Sequence, residues 1–210
     1  MRVAVQLELQ SVSKSFGATR VLQDFSLLLN EGDRVALLGA NGSGKSTVIK
    51  LLSGQNDPSN GVARATGLPN DSWPQCVSLA APYTELFEEF TPREHLRWHE
   101  KFQPLRVSTS EALSQLDLEE AAWDRPIKSF SSGMKQRVKL AAAILANTPI
   151  LLLDEPFSNL DAAGRHWAAQ LLRNHCGALA PWGARILVVA TNNDPDERAL
   201  TSRDVPLHKF

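Results

Sequence analysis

The run Gly39-Ala40-Asn41-Gly42-Ser43-Gly44-Lys45-Ser46-Thr47 gathers the residue types that hold a chain of phosphates. It fits the pattern G-x-x-x-x-G-K-[ST], and each position has a chemical reason. Glycines let the backbone curl round an anion with its N–H groups turned inward, where a Cβ would obstruct. The spacing implies that Lys45 reaches the β- and γ-phosphates of a nucleoside triphosphate and that the Ser46 hydroxyl ligates Mg²⁺. A helix starting at the phosphates adds the positive end of its dipole. The bland alternative is a flexible turn that happens to hold Lys and Ser. The flanks favour the phosphate loop. Arg34-Val35-Ala36-Leu37-Leu38 is a short apolar run before it, and Val48-Ile49-Lys50-Leu51-Leu52 opens a helix-period pattern after it.

Two further groups of residues would complete such a site. Ile150-Leu151-Leu152-Leu153 runs into Asp154-Glu155-Pro156. Carboxylates at the end of a buried strand stand at the crevice where α/β sheets bind ligands. Asp154 is then placed to hold Mg²⁺, directly or through water, and Glu155 to act as general base toward the attacking water. Without a phosphate loop in the same chain, a strand end with solvated acids would be the simpler explanation. The second group is Phe130-Ser131-Ser132-Gly133-Met134-Lys135-Gln136-Arg137. Ser131 can hydrogen-bond a phosphate oxygen, and Gly133 permits close backbone approach. The helix that follows carries Met134, Val138, Ala141 and Leu145 on one face. In isolation these residues read as a helix cap without a ligand.

These residues need a scaffold that brings them together. Residues 3–10 alternate as a strand does, and Val21 to Asn30 reads as another, ending at the turn Glu31-Gly32-Asp33. The helix after the phosphate loop stops at Gly54, and Asp57 to Gly61 is a turn cluster. Val77 to Ala81 is a short strand ended by Pro82. From about Thr91 to Leu145 the chain is helical in character, rich in charge and Trp, with no strand. Ile150 to Leu153 fits a strand buried on both faces, Asp161 to Cys176 a helix closed by Gly177, and Arg185 to Ala190 a further buried strand. Strands alternating with helices predict an α/β fold with a parallel sheet. A length of 210 residues fits one domain, or a core with one subdomain.

Composition narrows the function. A hydrophobic fraction of 43% suffices for a packed core, and a net charge of −1 exerts no pull toward nucleic acid or anionic lipid. Cys76 and Cys176 suggest neither a disulfide framework nor a metal pair, which points to a reducing compartment. The first residues turn polar too soon for a signal peptide. The longest apolar stretch, Leu140 to Leu153, is interrupted by Asn147, Thr148 and Pro149 and falls short of a membrane span. The expectation is a soluble, cytoplasmic protein, so any membrane role needs a partner.

Taken in order, the phosphate loop, Ser131-Ser132-Gly133, the Asp154-Glu155 strand and Ser158-Asn159-Leu160-Asp161 resemble the nucleotide-binding domain of ABC (ATP-binding cassette) transporters, over nearly the whole chain. The resemblance implies an α/β fold of the P-loop NTPase, ABC type: a mainly parallel sheet core, an N-terminal antiparallel β part and an inserted helical subdomain. Within one ABC ATPase domain over residues 1–210, residues 1–90 and 146–210 would form the core and residues 91–145 the helical subdomain. The implied cofactors are ATP and Mg²⁺. Gly39, Asn41, Gly42, Ser43, Gly44, Lys45, Ser46 and Thr47 would hold the phosphates, Ser46 and Asp154 the metal, with Lys45, Glu155 and Asn192 in catalysis. Two such domains, identical or different, would pack head to tail, so that each ATP also meets Ser131, Ser132 and Gly133 of the other chain. Asp161 would belong to the loop linking the two sites. Phe16 falls where the family stacks an aromatic on adenine, although a sheet-edge core aromatic reads the same way. The further partner would be an integral membrane permease on another polypeptide, energised by ATP-driven closure of the dimer. This chain would then be peripheral on the cytoplasmic face, with no nucleic-acid partner.

Two positions depart from the family's pattern. Pro82 stands where a glutamine touches Mg²⁺ through water, and proline offers no side-chain polar atom and no N–H. Gln75 lies upstream of the strand, and Tyr83, Thr84 and Glu85 remain open as substitutes. Asn192 replaces the switch histidine. Its amide still donates a hydrogen bond but lacks a histidinium's charge, so slow or partner-dependent hydrolysis with intact ATP binding is expected. The resemblance also places Leu86 to Thr91 at a groove that docks the permease.

Other signals are weaker. His95 and His99, four apart on a helix, could share a metal but lack a third ligand, and packing or solvation is the simpler reading. His166, His175 and His208 suggest no constellation. Lys135, Arg137 and Lys139 read as a solvated helix face, and Trp98 and Trp123 as core or partner contacts. Other functions share the main motifs. DNA-repair and chromosome-organising ATPases insert long coiled coils, for which the stretch from Lys45 to Ser131 is too short, and no basic stripe is present. Translation-factor relatives join two cassettes where this chain holds one. An ATP-binding regulator with slow or no hydrolysis is the alternative that Pro82 and Asn192 support.

Overall fold

The computed structural model describes residues 3–69, 72–176 and 184–209; the helix stop expected at Gly177 lies outside them. In chain order the main elements are β1 (Gln6–Phe16), β2 (Thr19–Asn30), β3 (Arg34–Leu38), α1 (Lys45–Leu52), β4 (Asn60–Thr66) and β5 (Val77–Ala80). There follow α2 (Pro92–Glu100), α3 (Thr109–Ser114), α4 (Ser132–Leu145), β6 (Ile150–Asp154), α5 (Ala162–Cys176), β7 (Ile186–Thr191), α6 (Pro195–Arg198) and β8 (Arg203–Pro206). The chain divides into two compact units. One comprises Met1–Leu79, Pro149–Glu155 and Arg185–Phe210; the other comprises Ala80–Thr148 and Pro156–Ala184.

The first unit contains two sheets. In the smaller, antiparallel one the order is β2-β1-β4. Leu7 and Leu9 of β1 and Leu27 and Leu29 of β2 turn into the core while their neighbours stay outside, which is the period-2 pattern of a half-buried sheet. β1 starts later than the alternation suggests and runs on to Phe16. A bulge at Ser11 (φ 47°), whose amide donates to Ser26 Oγ at 2.9 Å, shifts the alternation by one residue and hides the continuation. β4 escaped the sequence pattern because it is an edge strand with mostly exposed side chains.

The larger sheet has the order β5-β6-β7-β3-β8, with β3 parallel to both β7 and β8, and β6 parallel to β7. Every residue of β6 and β7 is buried, as expected for parallel strands covered on both faces. Val35 and Leu37 of β3, Ile150 and Leu152 of β6 and Ile186 and Val188 of β7 join Val48, Ile49, Leu51 and Leu52 of α1 in one core with the small sheet's leucines. β8 is an edge strand ending in proline, a position that costs no ladder hydrogen bond.

The second unit is helical. α2 and α3 each open on a capping box. Thr91 Oγ1 accepts the Glu94 amide at 3.2 Å while Glu94 accepts the Thr91 amide at 2.9 Å, and Ser108 and Glu111 repeat the exchange. α4 buries Val138, Ala141 and Leu145 completely, on the face the spacing predicts, and packs on α5. For that reason α5 groups with this unit rather than with the sheet. The basic run on α4 is not a solvated face: Lys135 pairs with Glu88 at 2.6 Å, Arg137 with Asp117, and Lys139 donates to the Ala81 carbonyl at 3.0 Å. Burial lowers the Lys139 pKa. Among the described residues no helix is long and apolar enough to cross a membrane.

Candidate functional site

Parallel register sets the chemistry-bearing strand ends along one edge of the large sheet. Leu38 pairs with Thr191 and Asp154 with Ala190, so Gly39, Asn192 and Glu155 leave neighbouring strands at nearly one level. This is the carboxyl edge, where open α/β sheets bind ligands.

The loop between β3 and α1 is shaped by backbone rather than by side chains. Gly42 (φ 81°) and Gly44 (φ 96°) are left-handed, and a Cβ on Gly39 would lie 2.7 Å from the Leu207 carbonyl oxygen. α1 starts from Gly44 with no side-chain cap and no acidic residue in its first turn, whereas α2, α3 and α4 are each capped by a side chain. Its first amides therefore lack a side-chain acceptor and suit an anion. Lys45 is buried, and its ammonium donates to the carbonyls of Gly39 at 2.6 Å and Ala40 at 3.1 Å. Two of its three donors hold the loop; the third remains for a phosphate. Asn41, Gly42 and Ser46 are exposed, Thr47 is half-buried, and Ser43 is buried with its Oγ lacking a partner.

Asp154 is 3% exposed at the end of β6, and its Oδ2 is buried without a hydrogen-bond partner. Burial pushes its pKa up, a hydrogen bond from Ser46 opposes that, the neighbouring Glu155 charge reinforces it, and Lys45 and Lys50 oppose it. An orphaned carboxylate oxygen beside an exposed hydroxyl is a donor set that suits a hard divalent cation. Glu155 follows with φ 48°, a left-handed backbone that non-glycine residues seldom adopt. Its amide is anchored to the Ala190 carbonyl at 2.9 Å, and its side chain is half-buried.

Asn192 is exposed, just beyond the buried Thr191. Phe16 ends β1 51% exposed, with the Lys14 ammonium 5.3 Å from its ring centroid. The reading of Phe16 as a buried sheet-edge aromatic is thereby set aside. In the helical unit, Ser131 caps α4: its Oγ accepts the Met134 amide at 3.2 Å. A hydroxyl that accepts there still has its O–H to donate, so capping and phosphate binding are compatible. Ser132 is exposed, and a Cβ on Gly133 would come within 3.1 Å of the Asn159 carbonyl oxygen. Asp161 Oδ1 accepts the Gly164 amide at 2.8 Å and opens α5.

The structure also resolves points that the sequence left open. Thr84 Oγ1 both accepts the Ala81 amide at 3.0 Å and donates to the Ala81 carbonyl at 2.8 Å, so its hydroxyl closes the turn around the exposed Pro82. Tyr83 and Glu85 remain exposed. His95 is buried and His99 half-buried, with no cluster of three metal-ligating side chains among the described residues. His208, unassigned from sequence, lines a cavity together with Asn192. Only the pairing of β8 with β3 reveals it.

Comparison with known proteins agrees with this geometry. The family model described as ABC transporter matches residues 22–158. The sulfate/thiosulfate import ATP-binding protein CysA of Rhodopseudomonas palustris is 34% identical over 179 residues, which are 80% of this chain and 51% of that protein. The Nod factor export ATP-binding protein I of Rhizobium meliloti is 32% identical over 179 residues, 81% of this chain and 53% of that protein. The chain thus spans about half the length of the curated relatives it matches. Among solved structures, the ATP-binding subunit of an ABC transporter superposes with a TM-score of 0.80 at 27% identity, over 96% of this chain and 85% of that one. A dimeric bacterial ABC transporter cassette does so with a TM-score of 0.80 at 26% identity, over 96% and 94%. With the phosphate loop, the carboxylate strand and the capped helix α4 all in place, the chain belongs to the ABC transporter family and has the fold of its ATP-binding cassettes.

Proposed function

We propose that this chain is the ATP-binding and ATP-hydrolysing subunit of an ABC transporter, acting on a permease carried by a separate polypeptide. The observation that carries the reading is the orphaned Oδ2 of Asp154 beside Ser46, at the mouth of an uncapped helix. Buried polar atoms without partners are rare unless a ligand completes them. Mg²⁺ held by Ser46 and Asp154 would neutralise charge on the phosphates when bound. The amides of residues 39–47 and the Lys45 ammonium bind and orient the phosphate chain, and Phe16 offers an open ring face to adenine. Glu155 accepts the proton of the attacking water, and Asn192 donates to the terminal phosphate. Ser131, Ser132 and Gly133 of a second cassette complete the site from the other side, with Asp161 in the loop that links the two sites. The whole of residues 1–210 then works as one ATPase domain on the cytoplasmic face of the membrane, held there by its permease.

Hydrolysis is tested by measuring basal and permease-stimulated phosphate release. The expected result is slow basal turnover, stimulated by the permease, with Glu155→Gln lowering turnover by about 10²–10⁴-fold while ATP binding persists. Vigorous basal turnover that Asn192→Ala leaves untouched would contradict the role given to Asn192. Pro82 and Asn192 favour a second reading, an ATP-binding regulator; its signature is nucleotide binding with no turnover even beside the permease.

A further inference from the structure

Beside the phosphate loop lies a cavity of about 420 Å³ whose wall includes Gly39 and Ser43 of the loop, Asn192 and Asn193 beyond β7, and His208 and Lys209 beyond β8. Topology explains how residues so far apart in the chain meet there. β3 leads into the loop, and Leu38 at its end pairs with Thr191 on one side and with Pro206 on the other. The Leu207 amide then donates to the Leu38 carbonyl at 2.6 Å, and the Leu207 carbonyl oxygen fills the space where a Cβ of Gly39 would sit. His208 is thereby delivered to one flank of Gly39 and Asn192 to the other, from strands that each lie about 4.8 Å from β3.

The chemistry of the wall is one-sided. Asn192 and Asn193 offer amides, His208 an imidazole and Lys209 an ammonium, and among the described residues no carboxylate lines the cavity. Arg198 holds the Asn193 carbonyl oxygen at 3.1 Å, which leaves the Asn193 NH₂ as its donor. Ser43 adds a hydroxyl, 2% exposed, that has no hydrogen-bond partner among the described residues. Donors, two basic groups and an unsatisfied buried hydroxyl together ask for an anion with several oxygens.

We propose that this cavity binds a phosphate oxyanion, with Lys209 supplying the charge that Asn192 does not and His208 a further ring donor. The inference rests on the nucleotide site proposed above. Two sources share the chemistry: the terminal phosphate of bound ATP, and the orthophosphate released when that bond is cut.

The chain is titrated calorimetrically with ADP, with the non-hydrolysable analogue AMP-PNP, and with orthophosphate in the presence of saturating ADP. Wild type is compared with the double variant His208→Gln/Lys209→Gln. If the terminal phosphate is the ligand, the variant loses at least about tenfold in affinity for AMP-PNP and keeps its affinity for ADP. If released phosphate is the ligand, AMP-PNP binding is kept and orthophosphate binding to the ADP complex weakens by a similar factor. Unchanged affinities for all three overturn the proposal. So does an equal loss for ADP and AMP-PNP, which would put the pair on the shared phosphates or on the fold. A wild-type chain that binds neither nucleotide overturns the nucleotide site itself, and the proposal with it.

Discussion

Burial acts on Asp154 and His95 in opposite directions, because in each the charged form is the one that loses water. The Asp154 pKa rises, and that of His95 is pushed down to about 4, first by burial and then by the neighbouring His99. For His95 the consequence is measurable. The unfolded imidazole titrates near 6.5, so between that value and about 4 the unfolded chain binds the extra proton and the folded chain does not. Stability is complete above the unfolded value and is lost as the pH falls toward 4, by on the order of 3 kcal/mol from this group. Urea unfolding between pH 7 and pH 4.5 should show that loss in wild type and a shallower one in His95→Gln; equal slopes would contradict it. At this scale the sequence was readable where residues are contiguous. Lys45, Ser46, Asp154 and Glu155 sit in short motifs whose spacing is itself the chemistry. His208 was not readable, since its approach to Asn192 depends on the pairing of β8 with β3.

Elements show a similar division. α4 and the buried strands β6 and β7 were legible because unbroken apolar runs and helical spacing leave few alternatives. β4 and β8 were not, because a short edge strand with exposed side chains carries little periodic signal. β1 was read too short because the bulge at Ser11 shifts its alternation. A signal that could have been used is Thr91-Pro92-Arg93-Glu94, a capping box with proline in the first turn, which fixes the start of α2. Thr91→Ala should cost about 1 kcal/mol, or about 2–4 °C in melting temperature, followed by circular dichroism. Nucleotide affinity should stay at the wild-type value, since α2 lies in the helical unit and the phosphate loop in the other. A matching loss of nucleotide binding would mean that the cap serves the site and not only its helix.

Among the described residues, one group of aromatic side chains faces solvent. Phe87 is 47% exposed and Phe102 65%, and both rings pack on Trp98, at 4.4 Å and 4.8 Å between centroids. Large apolar side chains held in an ordered, solvent-facing cluster mark an interaction surface. This cluster includes Phe87 of Leu86 to Thr91, the segment expected to dock the permease. Phe87→Ala and Phe102→Ser are expected to keep ATP binding and to cut capture of the permease, measured by co-purification, by about tenfold or more. Unchanged capture would move the docking surface elsewhere. Beneath every role given to this chain lies the claim that Lys45, Ser46 and Asp154 bind a magnesium nucleotide. Calorimetric titration of ATP, with and without Mg²⁺, into wild type, Lys45→Ala and Asp154→Asn tests it most directly. The account predicts one site per chain, weakened about 10- to 100-fold by Lys45→Ala, with the Mg²⁺ dependence lost in Asp154→Asn. Affinity that neither substitution alters would contradict it.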